Sequence, residues 1–448
     1  MNRNTLRMIQ TAKHTGDRLA ELPSAVLEPD DRVEFDVINI YEDLEYQTVQ
    51  GFGGAFTEAA AVTLQKMSPA RQKEIVEAYF SPDRGHGYTF CRTTIHSCDF
   101  ALGNYTYIEE GDRALESFSV ERDQRALIPF IREASKTAGR PLTLFASPWS
   151  PPAWMKTNGQ MNRGGKLLPE YRQTWADYFV KYIRAYEAEG IPIWGVTVQN
   201  EPNAVQSWDS CVYSAEEERD FVRDVLGPTL ARAGLGHVKI LVWDHNKERI
   251  YERAKTILDD PEANRYVYGV GFHWYTGDHF EALDAVYRKY PDKPLIFTEG
   301  CAAFSPEAGV WETGEHYAHD LIGNLNHGMA AWCDWNLLLD ERGGPNHADN
   351  FCSAPIMADT RTDTVYYQSS FYYIGHFSRY IRPGAVRLGT SRFTDRLEAT
   401  AFRNPDGSVA AVVLNRTEEE ISFVLRTARG VARVAMPARS IRTFLYGA

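Results

Sequence analysis

Short apolar runs alternate with longer amphipathic stretches through most of the 448 residues. Eight runs have strand length: 51–54, 88–96, 142–147, 194–199, 238–244, 267–273, 295–298 and 328–335. Between them, apolar residues recur at helical spacing over 69–79, 126–137, 170–189, 215–233, 251–258, 280–290 and 313–326, with a last such stretch at 367–377. Strand and helix in regular alternation is the pattern of a parallel sheet joined by crossover helices. Eight units of this kind predict an α/β chain closed into a (β/α)8 TIM barrel. The two ends read differently. Residues 32–40 alternate, with Val33, Phe35 and Val37 or Ile38 apolar. After Pro383 only strand-length runs remain, at 397–402, 409–415, 421–425, 431–436 and 440–446, separated by turn residues such as Asn404-Pro405-Asp406-Gly407. They predict a flanking β-sandwich made from the C-terminus plus one N-terminal strand. The expected domains are an N-terminal segment 1–48 that joins the sandwich, a barrel over 49–382 and the sandwich over 383–448.

Composition narrows the partners. The chain carries 48 Lys and Arg against 60 Asp and Glu, a net charge of −12. That balance argues against nucleic acid and against electrostatic docking on anionic membranes. No run of 18 uninterrupted apolar residues predicts a membrane span. The first residues, MNRNTLRMIQTAKHTGDRL, lack an apolar core of signal-peptide length, and a cytoplasmic location is expected. Cys91, Cys98, Cys211, Cys301, Cys333 and Cys352 form no CxxC pair and no zinc spacing. They read as free thiols in a reducing compartment.

Barrel enzymes carry their chemistry at the C-terminal ends of strands. The fourth strand ends Val198-Gln199-Asn200-Glu201-Pro202 and the seventh Ile296-Phe297-Thr298-Glu299-Gly300. Strands four and seven face each other across a barrel mouth, so two carboxylates confront one another there. Two facing carboxylates are the minimum equipment for breaking a glycosidic bond, and a retaining enzyme holds them about 5–5.5 Å apart. Other strand ends supply Asp99, Trp149, Trp154, the sequence His273-Trp274-Tyr275, and Trp335; Asn350 lies in the following loop. Aromatic faces for stacking beside hydroxyl partners such as Asp99, Asn200 and Asn350 suit a sugar pocket.

At these residues the chain resembles glycoside hydrolase family 30, and within it the acid β-glucosidase (glucosylceramidase) branch. The likeness covers nearly the whole chain and includes GFGGAFTEAAA at 51–61, ASPWSPPAWMKTNG at 146–159, TVQNEP at 197–202, HWY at 273–275 and DWNLLLD at 334–340. The resemblance implies a TIM barrel with a β-sandwich, retaining stereochemistry, Glu201 as general acid/base and Glu299 as nucleophile. It implies a first sugar subsite of Asp99, Trp149, Asn200, Trp335 and Asn350, with Arg92, His273 and Tyr275 around the nucleophile. No cofactor and no metal is expected; the implied partner is a small-molecule or oligosaccharide β-glycoside. Two positions depart from that branch: Gly300 replaces a different small residue, and His347, in GGPNHADNF, replaces Trp. A histidine there is similar to the β-1,6-glucanase members, so aglycone preference is the open question.

Three other activities compete: an endo-β-1,6-glucanase, a β-xylosidase or β-fucosidase, and a catalytically dead sugar-binding barrel. A metal-dependent hydrolase would draw on His316 and His319, next to Glu315, yet their i, i+3 spacing lacks a third ligand, and they read as solvated residues of an outer helix. For the glycosidase reading, Arg92 is expected to keep Glu299 ionised, and that negative neighbour to keep Glu201 protonated.

Overall fold

The tightest constraint on the barrel comes from its first strand. Gly51–Phe56 reads GFGGAF and is buried throughout. A Cβ on Gly53 would collide with the Phe90 carbonyl, and one on Gly54 would lie 2.6 Å from Leu337 Cδ2. Glycine is required there because neighbouring backbone and side chain close in on the strand. In the computed structural model, which describes residues 4–304 and 310–447, this strand opens a closed eight-stranded barrel. The others are Phe90–Ile95, Thr143–Pro148, Ile193–Thr197, Lys239–Asn246, Val267–His273, Leu295–Glu299 and Met329–Asn336, in chain order around the ring. The first seven pair in parallel register. Each expected strand is present within a few residues of its sequence-derived bounds.

The crossover helices follow the amphipathic stretches, with one helix added before them and one stretch subdivided. Glu58–Lys66 is a helix that spacing alone does not reveal; Thr57 caps it by accepting the Ala60 N–H. The stretch at 215–233 is not one uniform helix. Ala215–Phe221 passes through a wider π turn, Val222–Leu226, into Gly227–Arg232. Pro228 has no N–H to donate and its ring crowds the preceding turn, which widens the helix there.

The chain divides by contacts into two compact units. One contains nearly all of the barrel-strand residues and the helices from Glu58–Lys66 to Phe280–Lys289. The other contains a nine-stranded sheet and the helices Trp311–Asn326 and Ser369–Ser378. The sheet order is Ala20–Val26, Thr5–Ala12, Ser440–Tyr446, Val409–Asn415, Leu397–Arg403, Val386–Ser391, Val37–Thr48, Ile421–Thr427 and Gly430–Met436. All neighbours are antiparallel except Val37–Thr48 with Ile421–Thr427. Glu28, just past Ala20–Val26, bridges to Val431 in the opposite outer strand, so the two ends of the sheet meet. Its inward faces share one apolar core that includes Leu6, Ile38, Val413, Phe423, Met436 and Phe444. This is the expected β-sandwich, but three N-terminal strands enter it rather than one. The strand expected at 32–40 begins at Val37 and continues to Thr48.

Trp311–Asn326 and Ser369–Ser378, both inside the stretch expected for the barrel, make their contacts with this sheet. Asn326 Nδ2 donates to the Ala399 carbonyl at 2.9 Å, and His376 is buried between Thr443 Oγ1 (2.8 Å) and Thr11 Oγ1 (2.9 Å). The same packing overturns the reading of Glu315 and His319 as solvated. His319 Nδ1 is 2.6 Å from Glu398 and Glu315 is buried against Arg439 at 2.7 Å, because that face of the helix is turned to the sheet. His316 is exposed.

Candidate active site

Both glutamates end barrel strands, and the local backbone fixes them there. Glu299 closes the seventh strand. Gly300 follows because a Cβ at that position would sit 2.5 Å from the Phe297 ring. Glu201 lies just beyond the fourth strand with φ 49°, a left-handed conformation. Trp243 and Asp244 on the fifth strand are left-handed too, with φ 74° and 52°. Such backbone costs a non-glycine residue about 1–3 kcal/mol and persists only where its surroundings enforce it. Here the enforcing contacts are explicit. The Glu201 N–H donates to the Asp244 carbonyl at 3.0 Å. The Trp243 N–H donates to buried Glu218 at 2.8 Å. Arg253 donates to Glu218 at 2.8 Å and places its guanidinium 4.7 Å from the Trp243 ring centre.

Beneath the two glutamates lies a buried charge network centred on Asp244. One carboxylate oxygen accepts from Arg92 at 2.8 Å and Thr197 at 2.7 Å; the other meets His273 Nε2 at 2.9 Å and Thr298 at 2.5 Å. Arg92 also donates to Glu299 at 2.7 Å, to Asn200 Oδ1 at 2.9 Å and to Ser147 at 3.0 Å. The Tyr275 hydroxyl donates to the other Glu299 oxygen at 2.9 Å. His273 Nδ1 is 3.2 Å from Glu201 and His245 Nε2 is 3.8 Å from the same oxygen. Ligand-type atoms of Glu201, Glu299 and His273 all fall within 4.8 Å of one another. That spacing would also suit a metal ion. Both Glu299 oxygens already accept from Arg92 and Tyr275, however, and the guanidinium charge opposes a cation there.

Proton affinities in this network depart from the sequence expectation. Burial pushes Glu299 above the ordinary carboxylate range, against the pull of His273 and Arg92. Glu201 is equally desolvated, yet the His273 hydrogen bond and the His245 and His273 charges bring it below that range. Burial disfavours charge on His273, but Glu299, Asp244 and Glu201 together lift it to about 9. His273 is the chief group that lowers Glu201, through its hydrogen bond and its charge. The two carboxyls titrate as one unit, and its pH behaviour belongs to the pair.

Above the network is a cavity of about 350 Å³. Asp99, Trp149, Asn200, Glu201, Tyr275, Glu299, Trp335 and Asn350, all named from sequence, line it. Arg92 and His273 do not; both are wholly buried underneath. Trp149 and Trp335 stack on each other with ring centres 5.1 Å apart. Asn200 turns its carbonyl to Arg92, which aims its NH2 away from the guanidinium. Asn346 and Asn350 donate to Asp99 at 3.2 and 3.0 Å, and burial raises Asp99 to about 7. Near neutrality that carboxyl both donates and accepts. His347 is absent from the lining. Its ring lies 3.5 Å from buried Asp209 and its N–H donates to the Asp99 carbonyl at 3.1 Å, so it braces the loop from behind. Sequence reasoning missed Gln206, Trp208, His245, Asn246 and Phe351 in the lining. His245 and Asn246 end the fifth strand and were reachable by the strand-end rule. Gln206 and Trp208 come from an irregular loop with no periodic signal.

Residues 49–381 match the Glycosyl hydrolase family 30 TIM-barrel domain, and residues 384–444 the Glycosyl hydrolase family 30 beta sandwich domain. The lysosomal acid glucosylceramidase of Mus musculus is 38% identical over 431 residues, covering 92% of this chain and 83% of its own. Among solved structures, SrfJ from Salmonella typhimurium superposes with a TM-score of 0.96 at 39% identity, covering 99% of this chain and 100% of that one. The endo-beta1,6-glucanase BT3312 gives a TM-score of 0.89 at 29% identity over 99% of both chains.

Proposed function

The chain belongs to glycosyl hydrolase family 30, and from that premise we propose that it is a retaining β-glucosidase in which Glu299 is the nucleophile and Glu201 the general acid/base. The observation that carries this reading is the approach of the two carboxyl groups, from strands four and seven, to within 4.8 Å. An inverting enzyme leaves roughly 6.5–9.5 Å for a water between them. In the first step Glu299 attacks the anomeric carbon while Glu201 gives its proton to the leaving oxygen. In the second, Glu201 takes a proton from water as that water displaces Glu299. Arg92 and Tyr275 hold Glu299 in place for attack, since each donates to a different oxygen of its carboxylate.

The productive complex has its proton on Glu201 and leaves Glu299 ionised. A neutral glycoside that expels water and brings its leaving oxygen to Glu201 shifts the shared proton toward that oxygen. The first sugar ring is assigned to Asp99, Trp149, Asn200, Trp335 and Asn350. A cavity of about 350 Å³ suits one sugar ring and a leaving group, which favours β-glucosides with small or lipid-like aglycones, and similarity to a glucosylceramidase supports the same choice. Similarity to an endo-beta1,6-glucanase keeps β-1,6-glucan as the second reading. Six free thiols support a reducing, cytoplasmic setting.

A panel of p-nitrophenyl glycosides beside a β-1,6-linked glucan separates the substrates: fastest turnover of the β-glucoside is expected, and a preference for the glucan would replace the first reading by the second. Glu201→Ala should lose activity, and azide should restore it on an activated aryl β-glucoside by replacing the water that Glu201 no longer activates. Absence of rescue would remove Glu201 from the role.

A further inference from the structure

Two cysteines of the cavity wall have no part in the hydrolysis described above. Cys301 immediately precedes the short strand Ala302–Ala303, and Cys352 opens Cys352–Ser353; the two strands pair antiparallel with Ala303 opposite Cys352. This register places the two side chains on one face as diagonal neighbours. Their Sγ atoms are 3.1 Å apart, with Cys301 donating to Cys352. That is closer than ordinary sulfur–sulfur contact and about 1 Å longer than a disulfide bond. Both residues line the cavity, so a small oxidant reaches them by the substrate's route. Cys301 is half-buried and Cys352 buried; the other four cysteines, Cys91, Cys98, Cys211 and Cys333, are buried as well but lie outside the lining.

The pair also touches groups that the hydrolysis uses. The Tyr275 hydroxyl that donates to Glu299 lies 3.5 Å from Cys301 Sγ. Cys352 Sγ points to the Asn350 carbonyl at 3.9 Å, and Asn350 holds Asp99. We propose that Cys301 and Cys352 are a reversible dithiol–disulfide modification site in the pocket wall, and that closing it slows glycoside hydrolysis through Tyr275 and Asn350. The effect on rate rests on the roles proposed for Glu299 and Asp99; formation of the bond does not.

A hydroperoxide is the oxidant. One thiol, as thiolate, attacks a peroxide oxygen; the O–O bond breaks, water leaves after protonation, and a sulfenic acid forms. The second sulfur then attacks that sulfur, the S–O bond breaks and a second water leaves. Two thiols and one hydrogen peroxide thus give one disulfide and two waters. The hydrogen bond to Cys352, with burial, holds the Cys301 thiol above its ordinary range. Attack therefore speeds up toward alkaline pH, because the thiolate is the nucleophile.

The test treats the full chain with hydrogen peroxide at mildly alkaline pH, alkylates the remaining thiols, and looks by mass spectrometry for a peptide joining Cys301 to Cys352. The same samples are assayed on an aryl β-glucoside before and after dithiothreitol. The expected result is the linked peptide together with a fall in kcat/KM of about tenfold, restored by the reductant, since an active-site displacement near 1 Å carries costs of that order or more. Cys352→Ala and Cys301→Ser, each compared with its own untreated sample, should keep a treated-to-untreated ratio near one. No linked peptide under conditions that oxidise exposed thiols would overturn the site. A linked enzyme with unchanged kcat/KM would overturn the coupling. Linkage is read without hydrolysis, so neither outcome is confused with a wrong assignment of Glu299.

Discussion

Asp244 and Asp123 are both buried carboxylates of the barrel unit, with 0% and 2% exposure, and they hold protons oppositely. Burial opposes ionisation of each. At Asp123 the partners are the hydroxyls of Tyr105, Tyr107 and Tyr186, at 2.9, 2.5 and 2.7 Å. These neutral donors offset burial only in part, and the carboxyl is raised to about 6. At Asp244 the partners include the Arg92 guanidinium and His273, and the carboxyl falls to about 2. The charge of the donors decides the outcome where burial is equal. Three tyrosines give a polar knot that ties loop to helix. Two cations give a permanent negative charge, which aligns Arg92 under Glu299 and His273 under Glu201.

The comparison can be broken most severely at the groups that Asp244 aligns. Glu299→Gln should lower kcat by about 10⁴-fold or more on aryl β-glucosides, as expected when the attacking group is removed. Asp244→Asn should cost about 10²–10³-fold in kcat/KM, because Arg92 and His273 lose the charge that orients them. It should also destabilise by about 3–5 kcal/mol in denaturant unfolding, since two cations stay buried without their partner. His273→Gln removes a positive charge from beside both glutamates. Both limbs of the kcat/KM–pH curve should then move to higher pH by about one unit. An unmoved curve would mean that His273 does not set the pair's proton affinity. The smallest effect belongs to Asp123→Asn. The amide oxygen still accepts from Tyr107 and Tyr186, and only the Tyr105 bond is lost, so kcat should stay within about twofold and stability within about 1–2 kcal/mol.

The same pair predicts opposite responses to acid. Asp123 is raised from an ordinary 3.8 to about 6. Its contribution is complete below pH 3.8 and is lost as pH rises through 6. Asp244 is lowered from 3.8 to about 2. Its contribution is present above 3.8 and is lost as pH falls through 2. Comparing Asp123→Asn with the parent between pH 4 and 6, the loss of stability on raising pH should be smaller in the variant.

Much of this was legible in the chain itself, for identifiable reasons. The barrel strands are apolar runs bounded by helix, and each catalytic candidate stops such a run. The N-terminal strands Thr5–Ala12 and Ala20–Val26 were not legible: the first, TLRMIQTA, alternates poorly, and the second carries Pro23. Proline is tolerated because that strand stands last in the sheet order. Asp244 sat at a recognised strand end, yet its importance comes from left-handed backbone and from partners on four other strands. No local pattern encodes either. The pull of His273 on Glu201 was not legible for the same reason, because His273 reaches Glu201 only through the fold.

The central claim is that Glu299 forms a covalent bond to the sugar. Incubation with a 2-deoxy-2-fluoro-β-glucoside bearing a good leaving group, followed by digestion and mass spectrometry, tests it directly. Time-dependent inactivation and a single fluoroglucosyl adduct on the peptide that contains Glu299 are expected. Hydrolysis of the parent glucoside with no adduct, or an adduct on Glu201, would contradict it.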